Sequence, residues 1–333
     1  MIARSLPHVT IVLLVLISIL PAQTAVAEGG IRVITVFPSM VNDVKSLLCD
    51  NDSVDYLVPP GVDPHEYQLS TSDYDKLRKA TLIVSTGHTG VEMQISELVM
   101  QGGLNATLIN ILEIPGLRIA INPSTGQENL HMPIYDPLNY LLFVENLTST
   151  LVALNPSKAD CYRAKAMDVI ASLARLISKS HGRYMGVPTV VDTPVLQYAV
   201  EWMGFKVVKS LIPEHDVQPS PLDLSTVEGL LRNGTIPIVF YTSPPVSSES
   251  NTLVELSRRY GVVAVGIPSP MAEGSIPGKL GYVVSVLGNV SINNAGVTGA
   301  SPAQSGLSEY LMIVVYIIVG FIAGLIASRW LLK

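Results

Sequence analysis

Residues 54–85 read VDYLVPPGVDPHEYQLSTSDYDKLRKATLIVS, and this stretch decides the fold. A β-branched run at 54–58 leads into a loop opened by Pro59-Pro60. The helix start Ser70-Thr71-Ser72-Asp73 follows, and a second apolar run occupies 81–85. Strand, helix and strand at this spacing form the repeating unit of a parallel sheet. The loop between them, Gly61-Val62-Asp63-Pro64-His65-Glu66-Tyr67, sets an imidazole among carboxylates at a strand end. A proline-stiffened backbone loses little entropy when it meets a ligand, so His65 is a candidate metal ligand. The plain alternative is a solvated loop histidine.

Working outward, the alternation extends to both sides. Strands are expected at 31–36 and 107–110, and helices at 39–48, 73–79 and 90–100. A polar loop at 122–135 carries His131 and ends at Asp136-Pro137, where Asp caps a helix and Pro takes its first position. Asn155-Pro156 repeats that chemistry. The helix it starts runs to about 180 with Tyr162, Ala166, Ile170, Leu173 and Ile177 on one face, a length suited to a strut. Beyond Gly182 the alternation restarts: strands at 189–191, 205–211, 236–241 and 262–267, with helices at 194–203, 222–232, 247–260 and 279–287. The fold class is α/β, two lobes joined by one long helix with a ligand cleft between them. In such sheets ligands sit beyond the carboxyl ends of the strands. His65, His88 after the strand at 81–85, and the loop carrying Glu214, His215 and Asp216 all lie at such ends.

The two chain ends are oilier than the middle. Arg4 precedes an apolar run at 9–20, and the small residues Ala25-Val26-Ala27 complete a signal peptide over 1–27. Residues 310–332 are apolar up to Arg329, which reads as a transmembrane anchor over 309–332. With Arg329 and Lys333 beyond the span, the body falls on the extracytoplasmic face as a monomeric ectodomain on a single-pass anchor. The division is thus an N-terminal lobe at 28–155, a connecting helix at 156–181, a C-terminal lobe at 182–287, a tether at 288–308 and the anchor. Cys49 and Cys161 are permitted to pair outside the cell, without a framework that requires it. Sequons begin at Asn51, Asn105, Asn146, Asn233 and Asn289, as in a glycoprotein. A formal charge of −6 leaves no basic stripe for nucleic acid.

From about 31 to 289 the chain resembles the extracytoplasmic solute-binding receptors of ABC transporters that take up zinc and manganese. The family's Gly-x-Asp-Pro-His-Glu-Tyr segment stands at Gly61–Tyr67, Glu92 occupies the glutamate of its next helix, Val246-Ser247-Ser248-Glu249-Ser250 is a later match, and Tyr282 with Asn289 reproduces its closing spacing. The resemblance implies one divalent cation between the lobes and a membrane permease as partner. It implies His65 as first ligand and His131 as second, although one extra residue separates His131 from Asp136-Pro137. The family's third histidine falls on Thr193 and its final carboxylate on Ser269, so neither carries over. His215, flanked by Glu214 and Asp216, is the expected replacement, with Glu214 and His88 as weaker candidates. Three imidazoles favour Zn²⁺ over Mn²⁺, since oxygen donors suit manganese. His181 closes the strut, where a cation suits a helix C-terminus. A hydrolase lacks its signatures here: no His-Glu-x-x-His helix, nucleophile elbow or P-loop occurs. The remaining alternative is a degenerate receptor fold acting in adhesion or sensing without transport.

Overall fold

The computed structural model describes residues 29–214, 217–244 and 246–290. The expected signal peptide, nearly all of the tether, the expected anchor and His215 lie outside the described residues. Two four-stranded parallel sheets organise the rest. The first comprises β1 (Arg32–Thr35), β2 (Ser53–Tyr56), β3 (Leu82–Ser85) and β4 (Thr107–Asn110), in the order β2-β1-β3-β4. The second repeats that order as β6-β5-β7-β8, with β5 (Pro188–Val191), β6 (Lys206–Ser210), β7 (Ile238–Thr242) and β8 (Val263–Ile267). In each sheet the strand order reverses beside the first strand, and crevices for ligands open at such switch points.

Strand alternation divides the core. In β1 and β3 the odd and even residues part company: Val33, Leu82 and Val84 face one cluster, whereas Ile34 and Ile83 face another. The second cluster is local, covered by α2 (Thr71–Lys79) and α3 (Gly90–Met100) through Leu77, Val91 and Ile95. The first runs through both lobes. It gathers Tyr140, Phe143 and Leu147 of α4 (Pro137–Leu154), Leu173 of α5 (Ala159–Ser180), Phe240 of β7 and Leu280 of α9 (Ile276–Gly288). A third cluster packs the outer face of the second sheet against α7 (Pro221–Arg232) and α8 (Ser248–Tyr260). One shared core makes the lobes a packed body rather than beads on a strut.

Some elements depart from expectation, each for a local reason. The helix expected over 39–48 is a 3₁₀ turn, Pro38–Met40, then a short α1, Val41–Lys45. Its continuation is taken by a turn in which Asp52 accepts from the backbone N–H of Cys49 at 3.1 Å and of Ile31 at 2.8 Å. The strut likewise opens with a 3₁₀ turn, Pro156–Lys158, before α5. It is stapled to the first lobe: Cys49 and Cys161 form a disulfide, Lys158 pairs with Asp52 at 2.9 Å, and Tyr162 donates to Asp52 at 2.8 Å. The helix expected at 194–203 is shorter, α6 (Leu196–Glu201), because Pro194 and the left-handed Gly204 bound it. The last helix starts three residues early, where Ser275 caps it by accepting from Gly278. His181 is half-buried at the end of α5, and desolvation lowers its pKa, which opposes the cationic role expected there.

Among the described residues no helix is long and apolar enough to cross a membrane.

Candidate functional site

The loop that holds His65 is built by its neighbours in sequence. Asp63 accepts from the backbone N–H of His65 at 2.8 Å, and Tyr67 donates to Asp73 at 2.8 Å. Asp73 also forms a reciprocal capping box with Ser70, which fixes the start of α2. The loop is therefore tied to a helix terminus at one end and to β2 at the other. Burial acts to raise the Asp73 carboxyl, yet hydrogen bonds from Ser70 and Tyr67 and the nearby charge of Lys76 hold it below its usual range.

His88 sits in the turn between β3 and α3, and one buried carboxylate governs that turn. Glu92 accepts from the hydroxyls of Ser85, Thr86 and Thr89 and from the backbone N–H groups of Thr86, His88 and Thr89. It is 1% exposed, and donors surround both oxygens, so the charge is solvated by the protein itself.

His131 is placed from the other lobe. Asn129 donates to the carbonyl of Pro194 at 2.8 Å and to Gln197 at 2.9 Å. Those bonds fix the amide so that its oxygen faces His131, 3.1 Å from Nδ1. Since that oxygen only accepts, Nδ1 carries the proton and Nε2 the lone pair. Nε2 lies 3.7 Å from Glu214 Oε2, two acceptors facing one another. Glu214 is steadied by Asn122, whose amide donates to it at 3.3 Å and to the Pro213 carbonyl at 2.7 Å. Met132, next in the chain, has a left-handed backbone with φ of 51°, and a 3₁₀ turn at Pro133–Tyr135 follows. Together they accommodate the extra residue before Asp136-Pro137.

These loops meet in a cleft of about 310 Å³ between the sheets. His65, His88 and His131 line it from the first lobe, and Thr193, Thr242, Glu249 and Ser269 from the second. The His65 and His88 rings are 5.7 Å apart between centroids, and His88 and His131 are 5.3 Å apart. Among the described residues no three His, Cys, Asp or Glu side chains already surround one point. Thr193 and Ser269 do reach the cleft, and the Thr193 hydroxyl is buried without a hydrogen-bond partner among the described residues. Glu249, in the first turn of α8, was not singled out as a ligand by sequence, although its segment was. Nothing in the sequence marked Asn129 as the residue that orients His131. His215, the expected second-lobe ligand, lies outside the described residues.

Two parallel α/β lobes with imidazoles gathered at the strand ends of a central cleft define a solute-capturing protein of the metal-receptor class. A model of the family described as zinc-uptake complex component A, periplasmic (ZnuA), matches residues 33–278, and the chain belongs to that family. Its members are metal-binding components of ABC transporters, not enzymes. The manganese-binding lipoprotein MntA of Halalkalibacterium halodurans is 24% identical over 255 residues, covering 73% of this chain and 83% of that protein. The iron-binding protein YfeA of Yersinia pestis is 25% identical, covering 67% and 72%. Among solved structures, that of FpvC from Pseudomonas aeruginosa with Mn²⁺ superposes with a TM-score of 0.65 at 17% identity, covering 80% of this chain and all of that one. That likeness supports the fold of two parallel-sheet lobes.

These relatives correct two expectations. MntA and FimA of Streptococcus parasanguinis are named lipoproteins, and no described helix can span a membrane. The C-terminal single-pass anchor, with the cell-membrane location built on it, is therefore withdrawn; residues 309–332 themselves lie outside the described residues. The glycoprotein reading also lacks support in the relatives' names, and the sequon at Asn146 falls inside α4.

Proposed function

We propose that this chain captures a divalent transition-metal cation on the extracytoplasmic side and delivers it, as a monomer, to an ABC permease. The observation that carries this reading is the pair His131 Nε2 and Glu214 Oε2. Two acceptors 3.7 Å apart repel unless a proton or a metal ion lies between them, and two metal–ligand bonds of about 2.1 Å span that gap at an open angle. His65 is the second imidazole, and Glu214 takes the second-lobe role that Thr193 and Ser269 do not fill. His215, next to Glu214, remains a proposed further ligand.

The donor set favours Zn²⁺ over Mn²⁺. Imidazole nitrogen suits zinc, whereas manganese sites are rich in oxygen. Relatives named for zinc, manganese and iron frame the choice, with the zinc-binding protein AdcA of Streptococcus pyogenes among them at 20% identity. A degenerate adhesive ectodomain is not favoured, because Asn129 and Thr86 each set an oxygen beside Nδ1 of a cleft histidine, His131 and His88.

Calorimetry of the purified protein with Zn²⁺ and Mn²⁺ tests the reading. One site per chain is expected, with Zn²⁺ bound more tightly, and His65→Ala is expected to weaken it by more than about 100-fold. Retained affinity in His65→Ala overturns the site. Unchanged affinity in His215→Ala removes that residue from the ligand set.

A further inference from the structure

We propose that His88 is a third imidazole ligand, delivered by Thr86 and Glu92, so that the first lobe alone presents three nitrogen donors. The inference rests on the metal-receptor reading and adds a ligand at a place where the family resemblance supplied none.

The argument begins with protons. Both oxygens of Glu92 accept from the six donors around them, and the Thr86 hydroxyl is 2.8 Å from each. That hydroxyl spends its single proton on Glu92. Toward His88 it can only accept, and it lies 3.3 Å from Nδ1. The proton of the neutral ring therefore sits on Nδ1, and the lone pair on Nε2. His131 has the same tautomer by the same logic, through the Asn129 oxygen. Both rings are set as ligands whose second nitrogen is held by an acceptor, the usual arrangement around protein-bound metals.

Distance agrees. A zinc–nitrogen bond of about 2.0 Å puts a ring centroid about 3 Å from the ion, so two ligating rings at a tetrahedral angle stand a little over 5 Å apart. The His88 ring stands at about that spacing from both of the others, 5.7 Å from His65 and 5.3 Å from His131. The turn is rigid as well: six donors converge on Glu92, so His88 is presented at little entropic cost. The side chains at Thr193 and Ser269 offer only hydroxyls, and a third nitrogen from the first lobe replaces what the second lobe has given up. Metal capture is then assigned mainly to one lobe, and the second closes the site through Glu214.

The experiment has three parts. In ¹⁵N-imidazole spectra of the metal-free protein at pH 8, His88 is expected as the Nδ1-protonated tautomer; the Nε2-protonated form overturns the relay. His88→Ala is expected to lower Zn²⁺ affinity more than about 100-fold, and Thr86→Val about 10-fold, with melting temperatures within a few degrees of wild type. Co²⁺ bound to the wild-type protein gives a visible spectrum that reports its donors, and His88→Ala is expected to shift and weaken it. If wild type binds Zn²⁺ and His65→Ala abolishes binding while His88→Ala changes neither affinity nor spectrum, this inference fails and the receptor reading stands. If wild type binds neither Zn²⁺ nor Mn²⁺, the receptor reading fails with it.

Discussion

At the residue scale, the proposed site depends on side chains outside its ligand set. Asn129 is buried and spends its amide on Pro194 and Gln197 so that its oxygen can hold His131. Asn129→Ala frees the imidazole to rotate and exchange tautomers. We expect Zn²⁺ affinity to fall about 10–100-fold by calorimetry, the range for loss of an outer partner. Asn129→Asp keeps the oxygen but loses both donors, and is expected to bind more weakly than wild type as well. The legible and the hidden divide sharply here. His65 announces itself through a proline-stiffened motif confined to seven residues, whereas the partner of His131 is a carboxylate some eighty residues on, brought near by β6. No local pattern encodes that meeting, and the same holds for the bond from Asn129 to Gln197.

At the element scale, caps and prolines set most boundaries, which is why α3 and β4 fall where the sequence places them. The exceptions are elements under long-range constraint. Helix α1 is cut short where Asp52 draws together Cys49, Ile31, Lys158 and Tyr162. Burial acts to raise the Asp52 carboxyl, yet these partners lower it below its usual range. The disulfide beside them closes a loop of 112 residues between α1 and α5. Loops of that size restrict the unfolded chain strongly, and Cys49→Ser with Cys161→Ser is expected to lower the unfolding free energy by about 2–5 kcal/mol in urea titration. An unchanged midpoint would show that the Asp52 cluster alone staples the strut. A smaller test concerns α2: Ser70→Ala breaks the capping box and is expected to cost about 1 kcal/mol by the same measurement.

At the scale of the whole molecule, the lobes are joined by more than the strut. The Tyr198 hydroxyl in α6 donates to the Asn129 carbonyl, Tyr135 donates to the Pro268 carbonyl at 2.7 Å, and Ser124 exchanges bonds with Ser210. The deepest tie is Asp43 of α1, which accepts from Tyr140 in α4 at 2.8 Å and from the N–H of Ile276 at the start of α9 at 2.9 Å. Burial pushes the Asp43 carboxyl up to about 6, against the opposing pull of those hydrogen bonds and of Lys279. Burial likewise lowers Lys279 to about 8, and its ammonium donates to the Pro270 carbonyl at 2.7 Å. The folded chain holds a proton on Asp43 more tightly than the unfolded chain does. Its favourable contribution is therefore full below the ordinary carboxyl value of 3.8 and declines as pH rises through about 6. Lys279 keeps its charge in both states over that window. Asp43→Asn is expected to remove this decline, so that its urea midpoint changes less between pH 4 and 6.5 than that of wild type; parallel profiles would refute the assignment.

The sequence by itself determined the two α/β lobes, the long helix between them and His65 at a strand end, because β-branched runs, caps and proline stops act over a few residues. Only the tertiary structure decided the partners of that histidine. His88 came to stand beside both His65 and His131, Glu214 came to face His131, and Cys49 met Cys161, because strand order and loop-to-loop hydrogen bonds place residues far apart in the chain within a few ångströms of each other.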